Sequence, residues 1–412
     1  MYDTSCLYDI EKNRVSVLMC IDKSIIDMNN RPKLIRISTI PSSMESFMKG
    51  QLRFLSDYYD VIAVSSPGEK LNIIRERENV KTIALPMERR ISLWKDLVSL
   101  IRMILLFAKE KPYIVHSITP KAGLISMLAG WIVRVPVRMH TFTGLVFPTA
   151  TGKMQKLLIA MDRITCFCAT HINPEGIGVK RDLERFHVTK KPMFIIANGN
   201  VGGIDLMYFD RISTVEADAI RYRVAGCFTF CFVGRMVRDK GINELIHVFI
   251  RLYQENTQIR LLLVGSFEKD LDPFLPEVEE QILHHPGINF VGWQPDVRPF
   301  LAASDAFVFP SYREGFPNVV MQAGAMGLAS IVTDINGCNE IIVDGKNGVI
   351  ISSKDEEALY LAMKDFVAHP EKVKQMAANA RPMIASRYEQ KMVWEALLGE
   401  YRRICKEECI TQ

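Results

Sequence analysis

Phe309-Pro-Ser-Tyr-Arg-Glu-Gly-Phe-Pro-Asn-Val-Val-Met-Gln322 is the stretch whose reading decides the fold. A short apolar run, Ala306–Phe309, precedes it with strand composition, and an apolar-periodic segment follows it. The stretch therefore reads as strand end, loop and helix start. Pro317 suits the first helical position, where the missing N–H costs nothing. Glu314 and Gly315 fall in the loop, and Gln322 falls in the second turn. Backbone N–H groups around Phe316, Asn318 and Val319 then gather at a positive helix end, with a carboxylate just ahead and an amide one turn inside. Phosphate or sugar oxygens suit the N–H groups, sugar hydroxyls suit Glu314, and Gln322 can reach a ribose.

Upstream, Phe232-Val-Gly-Arg-Met-Val-Arg-Asp-Lys-Gly241 repeats the arrangement. A strand ends in Gly234, Arg235 follows at once, and Lys240-Gly241 opens an amphipathic helix carrying Ile242, Leu245, Ile246 and Phe249 on one face. Two cations at the carboxyl end of a parallel strand suit an anion: the guanidinium as a planar fork, the ammonium as a point charge. A solvated surface Arg and Lys is the plainer alternative.

Outward from these loops, short β-type runs alternate with longer amphipathic ones, the pattern of parallel sheets with crossover helices. Strands are expected at Lys33–Ile40, Val61–Ser65, Ile114–Ser117, Arg138–Thr143, Ile164–Ile172 and Met193–Ala197. The pattern restarts at Phe228–Val233, Arg260–Val264, Ile288–Val291, Ala306–Phe309 and Ser330–Thr333. Glycine-rich Asn198–Asp205 between the halves suits a linker or hinge. With 412 residues there is material for two cores. The expected division is a peripheral extension at 1–27, an acceptor-side Rossmann-like domain at 28–200 and a nucleotide-sugar-binding Rossmann-like domain at 201–385. A terminal helix at 386–412, with Val393, Leu397 and Tyr401 at helical spacing, is expected to pack back onto the first domain.

On these motifs the sequence resembles glycosyltransferase family 4, retaining enzymes of the α/β GT-B fold, in which two Rossmann-like domains face each other across a cleft. The matching stretches are Phe232–Gly241, Leu263–Gly265, Phe290–Asp296, Ser304–Pro317, Gly337–Glu340 and Val343–Gly348, in the family's order. The resemblance implies a nucleotide-diphosphate sugar, most commonly uridine-linked, as donor. Gly234, Arg235 and Lys240 would bind the diphosphate, with Gly315, Phe316, Pro317, Asn318 and Gln322 around it, and Trp293 at the base. Glu314 would lie beside the transferred sugar as a catalytic residue. One departure stands out: the family's second glutamate is Gln322 here, which keeps an acceptor, gains donors and loses the charge.

The first half matches less sharply. Val115–Gly123 and Met139–Gly144 resemble loops of bacterial capsule and lipopolysaccharide transferases, which implies a glycan or polyprenyl-diphosphate-linked acceptor. Lys121, His140 and Thr143 are the acceptor-side candidates there, and His116 is a second catalytic candidate. A structural strand-end histidine is the alternative reading of His116. Ser42 and Ser43 stand where many relatives place a glycine pair near the donor phosphates.

Residues 1–200 hold 29 Lys+Arg against 18 Asp+Glu, whereas the remainder is acidic. A basic first half is expected to meet something anionic, and an anionic membrane surface is a candidate partner. The segments Leu93–Ala108 and Met127–Val137 mix apolar residues with Arg; the reading is core packing for most positions and membrane contact for exposed basic ones. No apolar run reaches the ~20 residues of a spanning helix, and no signal-peptide pattern opens the chain, so a cytoplasmic location, peripheral on the inner face of the plasma membrane, is expected. Nine cysteines without zinc-site spacing read as free thiols. Asp270-Leu-Asp272 reads as a solvated loop, so no metal and no cofactor beyond the sugar nucleotide is expected. No strand leads into Gly-x-Gly-x-x-Gly, which disfavours a dehydrogenase, and basic stretches lack interleaved aromatics, which disfavours nucleic acid. A nucleotide-sugar epimerase of similar fold and a non-catalytic carbohydrate-binding scaffold are the rival readings.

Overall fold

The computed structural model describes residues 31–88, 92–268 and 272–411; the expected extension at 1–27 lies outside the described residues. Two six-stranded parallel sheets organise the chain. The first comprises β1 (Lys33–Ile37), β2 (Asp60–Ser65), β3 (Lys81–Ala84), β4 (Ile114–Ile118), β5 (Val137–Phe142) and β6 (His171–Pro174), in the order β3-β2-β1-β4-β5-β6. The second comprises β7 (Phe228–Val233), β8 (Ile259–Val264), β9 (Ile288–Phe290), β10 (Ala306–Phe309), β11 (Ala329–Thr333) and β12 (Gly348–Ile351), in the order β12-β11-β10-β7-β8-β9. Both sheets have the same topology. β1, β4, β7 and β10 are continuous apolar-rich runs and almost entirely buried, because helices cover both faces of each sheet.

Eight helices shape the cleft and the surface of the first domain: α1 (Leu93–Glu110), α2 (Pro120–Val133), α3 (Gly152–Cys168), α4 (Ile177–Arg185), α5 (Ile242–Glu255), α6 (Asn318–Ala325), α7 (Cys338–Ile341) and α8 (Gln390–Thr411). Right-handed crossovers put α1, α2 and α3 side by side on one face of the first sheet. The other face belongs to α8, whose Leu397, Leu398, Tyr401 and Ile404 share a core with Leu34, Val61, Met44 and Leu52. The last helix of the chain therefore does cross back onto the first domain. Its Tyr401 hydroxyl accepts a hydrogen bond from Arg36, a fully buried guanidinium that also donates to Gln51 at 3.0 Å.

Some sequence expectations fail. Ile164–Cys168 is not strand but the end of α3; its buried Asp162, Thr165 and Cys166 follow helical spacing, and only His171–Pro174 is extended. Met193–Ala197 contributes one bridge, Ile172 to Met193, rather than a strand. β3 and β12, partly exposed strands of four residues at the sheet edges, are not among the expected strands. The larger correction concerns Leu93–Ala108. Met103 and Phe107 of α1 are buried and Leu100, Ile104 and Leu106 pack against the core, but Leu93, Trp94, Leu97, Ile101 and Leu105 are exposed, so core packing accounts for only part of its apolar residues.

Removing part of α8 from the first core tests how much that crossing stabilises. Leu397→Ala deletes a side chain that is 2% exposed and is expected to lower the unfolding free energy by about 2–5 kcal/mol, read from the urea midpoint. An unchanged midpoint would mean that α8 contributes little to the fold of the first domain.

Candidate active site

β7 and β10 are neighbours whose connections leave in opposite directions, toward β8 and toward β11. A crevice opens at their carboxyl ends, as at any such reversal of strand order. The two decisive loops emerge there. After β7 the chain runs through Gly234 and Arg235 into a short 3-10 turn, Arg238–Lys240, and then Gly241 at φ 71° starts α5. Only glycine serves at 241: besides the left-handed backbone, a Cβ would lie 2.1 Å from the Pro310 carbonyl oxygen. The loops are tied together by the Tyr312 N–H donating to the Asp239 carbonyl at 2.8 Å and by the Arg313–Asp239 ion pair at 2.9 Å.

Each cation in the crevice is held by a carboxylate. Lys240 pairs with Glu314, both side chains being largely buried, and the Ser311 hydroxyl donates to the same carboxylate at 3.0 Å. Arg235 pairs with Glu268 at 3.0 Å and stays half-exposed. Asp272 accepts from the Asp239 N–H at 2.8 Å and from Arg238 at 3.1 Å, so it braces the loop that carries Lys240. Its partner Asp270 lies outside the described residues. No group of three or more His, Cys, Asp or Glu among the described residues is placed to hold a metal ion.

α6 begins one residue later than expected. Pro317 is its cap residue and Asn318 its first helical one, and no side chain caps the end. The first N–H groups of α6 are thus left for another acceptor. The Phe316 ring turns away from the crevice, 4% exposed, and meets Tyr388 edge-on at 5.4 Å. Gln322 is half-buried in the second turn, and Trp293 is 66% exposed after β9.

Of the four first-domain candidates, the structure brings Thr143 to this place. A Cβ on Gly315 would sit 2.2 Å from the Thr143 carbonyl oxygen, so the two domains meet backbone to backbone. The other three candidates are corrected. His116 is wholly buried: one ring nitrogen meets Thr141 at 2.7 Å, the other meets Arg36 and the Tyr401 hydroxyl. Neither nitrogen is left for a substrate, and burial together with Arg36 holds the ring neutral, well below the usual histidine range. His140 is enclosed by Ser117 at 2.9 Å and by Phe142, with burial depressing its pKa to about 3. Lys121 is spent on Asp96 of α1 at 2.7 Å.

Known proteins resemble this chain in sequence and in fold. Residues 227–369 match the family "Glycosyl transferases group 1" and residues 36–172 match "Glycosyl transferase 4-like". The chain is 32% identical over 378 residues to the capsular polysaccharide biosynthesis glycosyltransferase CapM of Staphylococcus aureus, covering 91% of this chain and 98% of that one. The chain is a family 4 glycosyltransferase. Another relative is the UDP-Gal:alpha-D-GlcNAc-diphosphoundecaprenol alpha-1,3-galactosyltransferase of Escherichia coli, 28% identical over 69% of this chain and 74% of that one. Among solved structures, Anabaena Alr3699/HepE in complex with UDP and glucose superposes with a TM-score of 0.75 over 90% of this chain and 99% of that one. At 15% identity that likeness speaks for the GT-B fold alone.

Two residues, Asn200 and Glu175, escape the sequence motifs, and a third, Glu340, lies in the matching stretch Gly337–Glu340 with no role assigned to it there. Glu340 of α7 accepts from the N–H groups of Ile177 and Gly178, at 2.7 and 3.0 Å, so one domain grips a helix start of the other. Asn200 in the linker donates to Asn318 at 2.9 Å. Glu175, directly after β6, is 2% exposed: one carboxyl oxygen accepts from the Val201 N–H at 3.2 Å, and the other meets no donor among the described residues. A proline-glutamate-glycine run after a strand is the only signal, and it does not distinguish a buried acid from a turn.

Burial pushes the Glu175 carboxyl up to about 8, and the carboxylates of Glu340 and Glu314 act in the same direction. The folded transferase therefore keeps a proton that the unfolded chain, titrating near 4.5, has released. Stability from this group is complete below pH 4.5 and is lost as pH rises toward 8. Glu175→Gln should flatten that decline, so that Tm falls less between pH 5 and pH 8 than in the wild type. Asp162, raised to about 7 by burial, leaves a residual slope in the variant. Equal slopes in both proteins would show that Glu175 is ionised when folded.

Proposed function

We propose that this glycosyltransferase moves a hexose or N-acetylhexosamine, with retention of configuration, from a UDP-sugar to a polyprenyl-diphosphate-linked glycan in surface polysaccharide synthesis. The observation that carries the donor half is the crevice between β7 and β10. Arg235, Lys240 and the uncapped start of α6 converge there on a space suited to a diphosphate. Negative charge grows on the leaving nucleoside diphosphate as the glycosidic bond breaks, and these donors are already oriented to receive it. Glu314 then supports the sugar while remaining beside Lys240, and exposed Trp293 offers its ring to the base. The acceptor half is supported by the names of the relatives from Staphylococcus aureus and Escherichia coli, and by a third from Campylobacter jejuni that transfers N-acetylgalactosamine to a diphospho-undecaprenol-linked sugar.

Donor binding is tested by thermal denaturation with a panel of nucleotides and nucleotide sugars, since a ligand that binds only the folded state raises Tm by mass action. UDP and one UDP-sugar are expected to stabilise, and guanosine and thymidine analogues are not. Lys240→Met should lower kcat/KM by about 10²–10³-fold, the usual cost of removing one charge-stabilising donor. Incubation with the UDP-sugar alone separates the rival chemistry: appearance of an epimeric nucleotide sugar without acceptor would overturn transfer as the reaction.

A further inference from the structure

The first domain carries an apolar surface that the donor site does not use. In α1, Leu93, Leu97, Ile101 and Leu105 recur at i,i+4 spacing and, with Trp94, are between 46% and 85% exposed. On a helix of 3.6 residues per turn these five side chains span an arc of about 120°. Lys95, Arg102 and Lys109, all exposed, border that arc on one side, and the buried Ser99, Met103 and Phe107 lie opposite. On the same face of the sheet, α3 exposes Met154, Leu157, Ile164 and Phe167 beside Lys153, Lys156 and Arg163. An amphipathic helix normally turns its apolar arc inward, so α1 has an apolar face too many.

Charge decides what covers it. Residues 93–168 contain ten Lys+Arg and three Asp+Glu. Asp96 is neutralised by Lys121, Glu110 is shared by Lys33 and Lys81, and Asp162 is buried with its pKa raised. Lys95 is paired with the exposed Glu88 just ahead of α1, so the cationic border rests on Arg102, Lys109, Lys153 and Lys156. The face is apolar and cationic with no exposed unpaired acid within residues 93–168, the composition that an anionic phospholipid surface recognises. A second copy of this chain would set these cations against like charge. Direction fits as well: α1 starts at the carboxyl edge of the first sheet, where its Asp96 meets Lys121 at the start of α2, so the arc begins at the rim of the cleft.

We infer that the exposed arc of α1, with the exposed side chains of α3 beyond α2, seats the enzyme on an anionic bilayer with the cleft opening at the lipid headgroups. Helix α1 lies along the interface, its apolar arc among the acyl chains and its Lys and Arg at the phosphates. No helix of the described residues is long and apolar enough to cross a membrane, so attachment of this kind is lateral. The inference rests on the lipid-linked acceptor reading only for its consequence, that a membrane-held diphosphate substrate reaches the cleft without leaving the bilayer; vesicle binding itself is measured without any sugar transfer.

Co-sedimentation with vesicles is the test. The full chain should bind vesicles of equimolar phosphatidylcholine and phosphatidylglycerol, bind phosphatidylcholine alone far more weakly, and dissociate as salt is raised. Trp94→Ala/Leu97→Ser/Ile101→Ser should weaken partitioning by roughly tenfold or more, since it removes the apolar contact area. The three sites are exposed, so the variant should keep the wild-type Tm, which separates lost docking from lost fold. Brominated acyl chains should quench tryptophan fluorescence in the wild type and much less in Trp94→Phe. Failure of the wild type to bind the anionic vesicles would overturn the inference, as would binding that the triple variant leaves unchanged. A wild-type dimer in sedimentation velocity that becomes monomeric in the triple variant would also overturn it, assigning the face to a second copy. Sugar transfer to a soluble acceptor without vesicle binding would sink the docking proposal and leave the enzymatic one standing.

Discussion

Parallel strands can be joined only by crossovers, and crossovers of one hand leave a reversal in the strand order. Everything functional in this chain depends on that constraint being met twice. The first and fourth strands of each sheet lie side by side, and their loops diverge at the carboxyl ends. In the second domain the diverging loops carry Arg235 and Lys240 on one side and Glu314 with the start of α6 on the other. Residues 74 positions apart in sequence thereby become an ion pair, tied by backbone and side-chain bonds between the same two loops. In the first domain the equivalent crevice is filled by its own side chains, Thr39 and Thr119 joined at 2.8 Å. The same topology therefore supplies one polar, cation-lined crevice and one that is closed by hydroxyls.

Pairing each crevice cation with a carboxylate has a physical consequence. A buried ammonium without a counter-charge is costly, whereas the Lys240–Glu314 pair holds both groups in place. On the proposed function, a diphosphate in the crevice would offer Lys240 and Arg235 a second anionic partner, in competition with Glu314 and Glu268. Gln322 belongs to the same balance. With a carboxylate at 322 the crevice would carry one more negative charge near an incoming anion; an amide keeps the hydrogen-bonding capacity without that repulsion.

The donor end is legible in the sequence because its chemistry is local. A strand end, a glycine, a cation and a helix start sit within a few residues, and backbone N–H groups need no distant partner to point the right way. The acceptor end is not, because the fate of its polar residues is decided far away. His116 looks available at the end of β4, yet Tyr401, 285 positions later, arrives on α8 and takes one of its ring nitrogens. Lys121 looks like a surface cation until α1 brings Asp96 to it. The fold itself is readable where a buried apolar run stands out, as in β7, β8 and β10; β3 and β12 are partly exposed edge strands without one, and the end of α3 imitates a strand because Cys166-Phe-Cys168 alternates by chance. Helix α1 exposes a deeper limit. Periodicity locates an apolar arc but does not say whether protein or something else covers it, and α1 has apolar residues on both sides.

Closure of the cleft is the remaining link between the two ends. Across it Thr143 touches Gly315, Asn200 bonds Asn318, and Glu340 holds the first N–H groups of α4. All three contacts flank the start of α6, so whatever binds there feels the position of the first domain. A carboxylate at a helix start is worth most where water is excluded, and both Gly176 and Gly178 lack the side chains that would keep Glu340 and Asn336 at a distance. Opening the cleft costs these bonds, and the docking inferred above would turn its rim, where α1 begins, toward the headgroups. A ligand at the start of α6 would thus be held both by the loops of the second domain and, across the seam, by the position of the first.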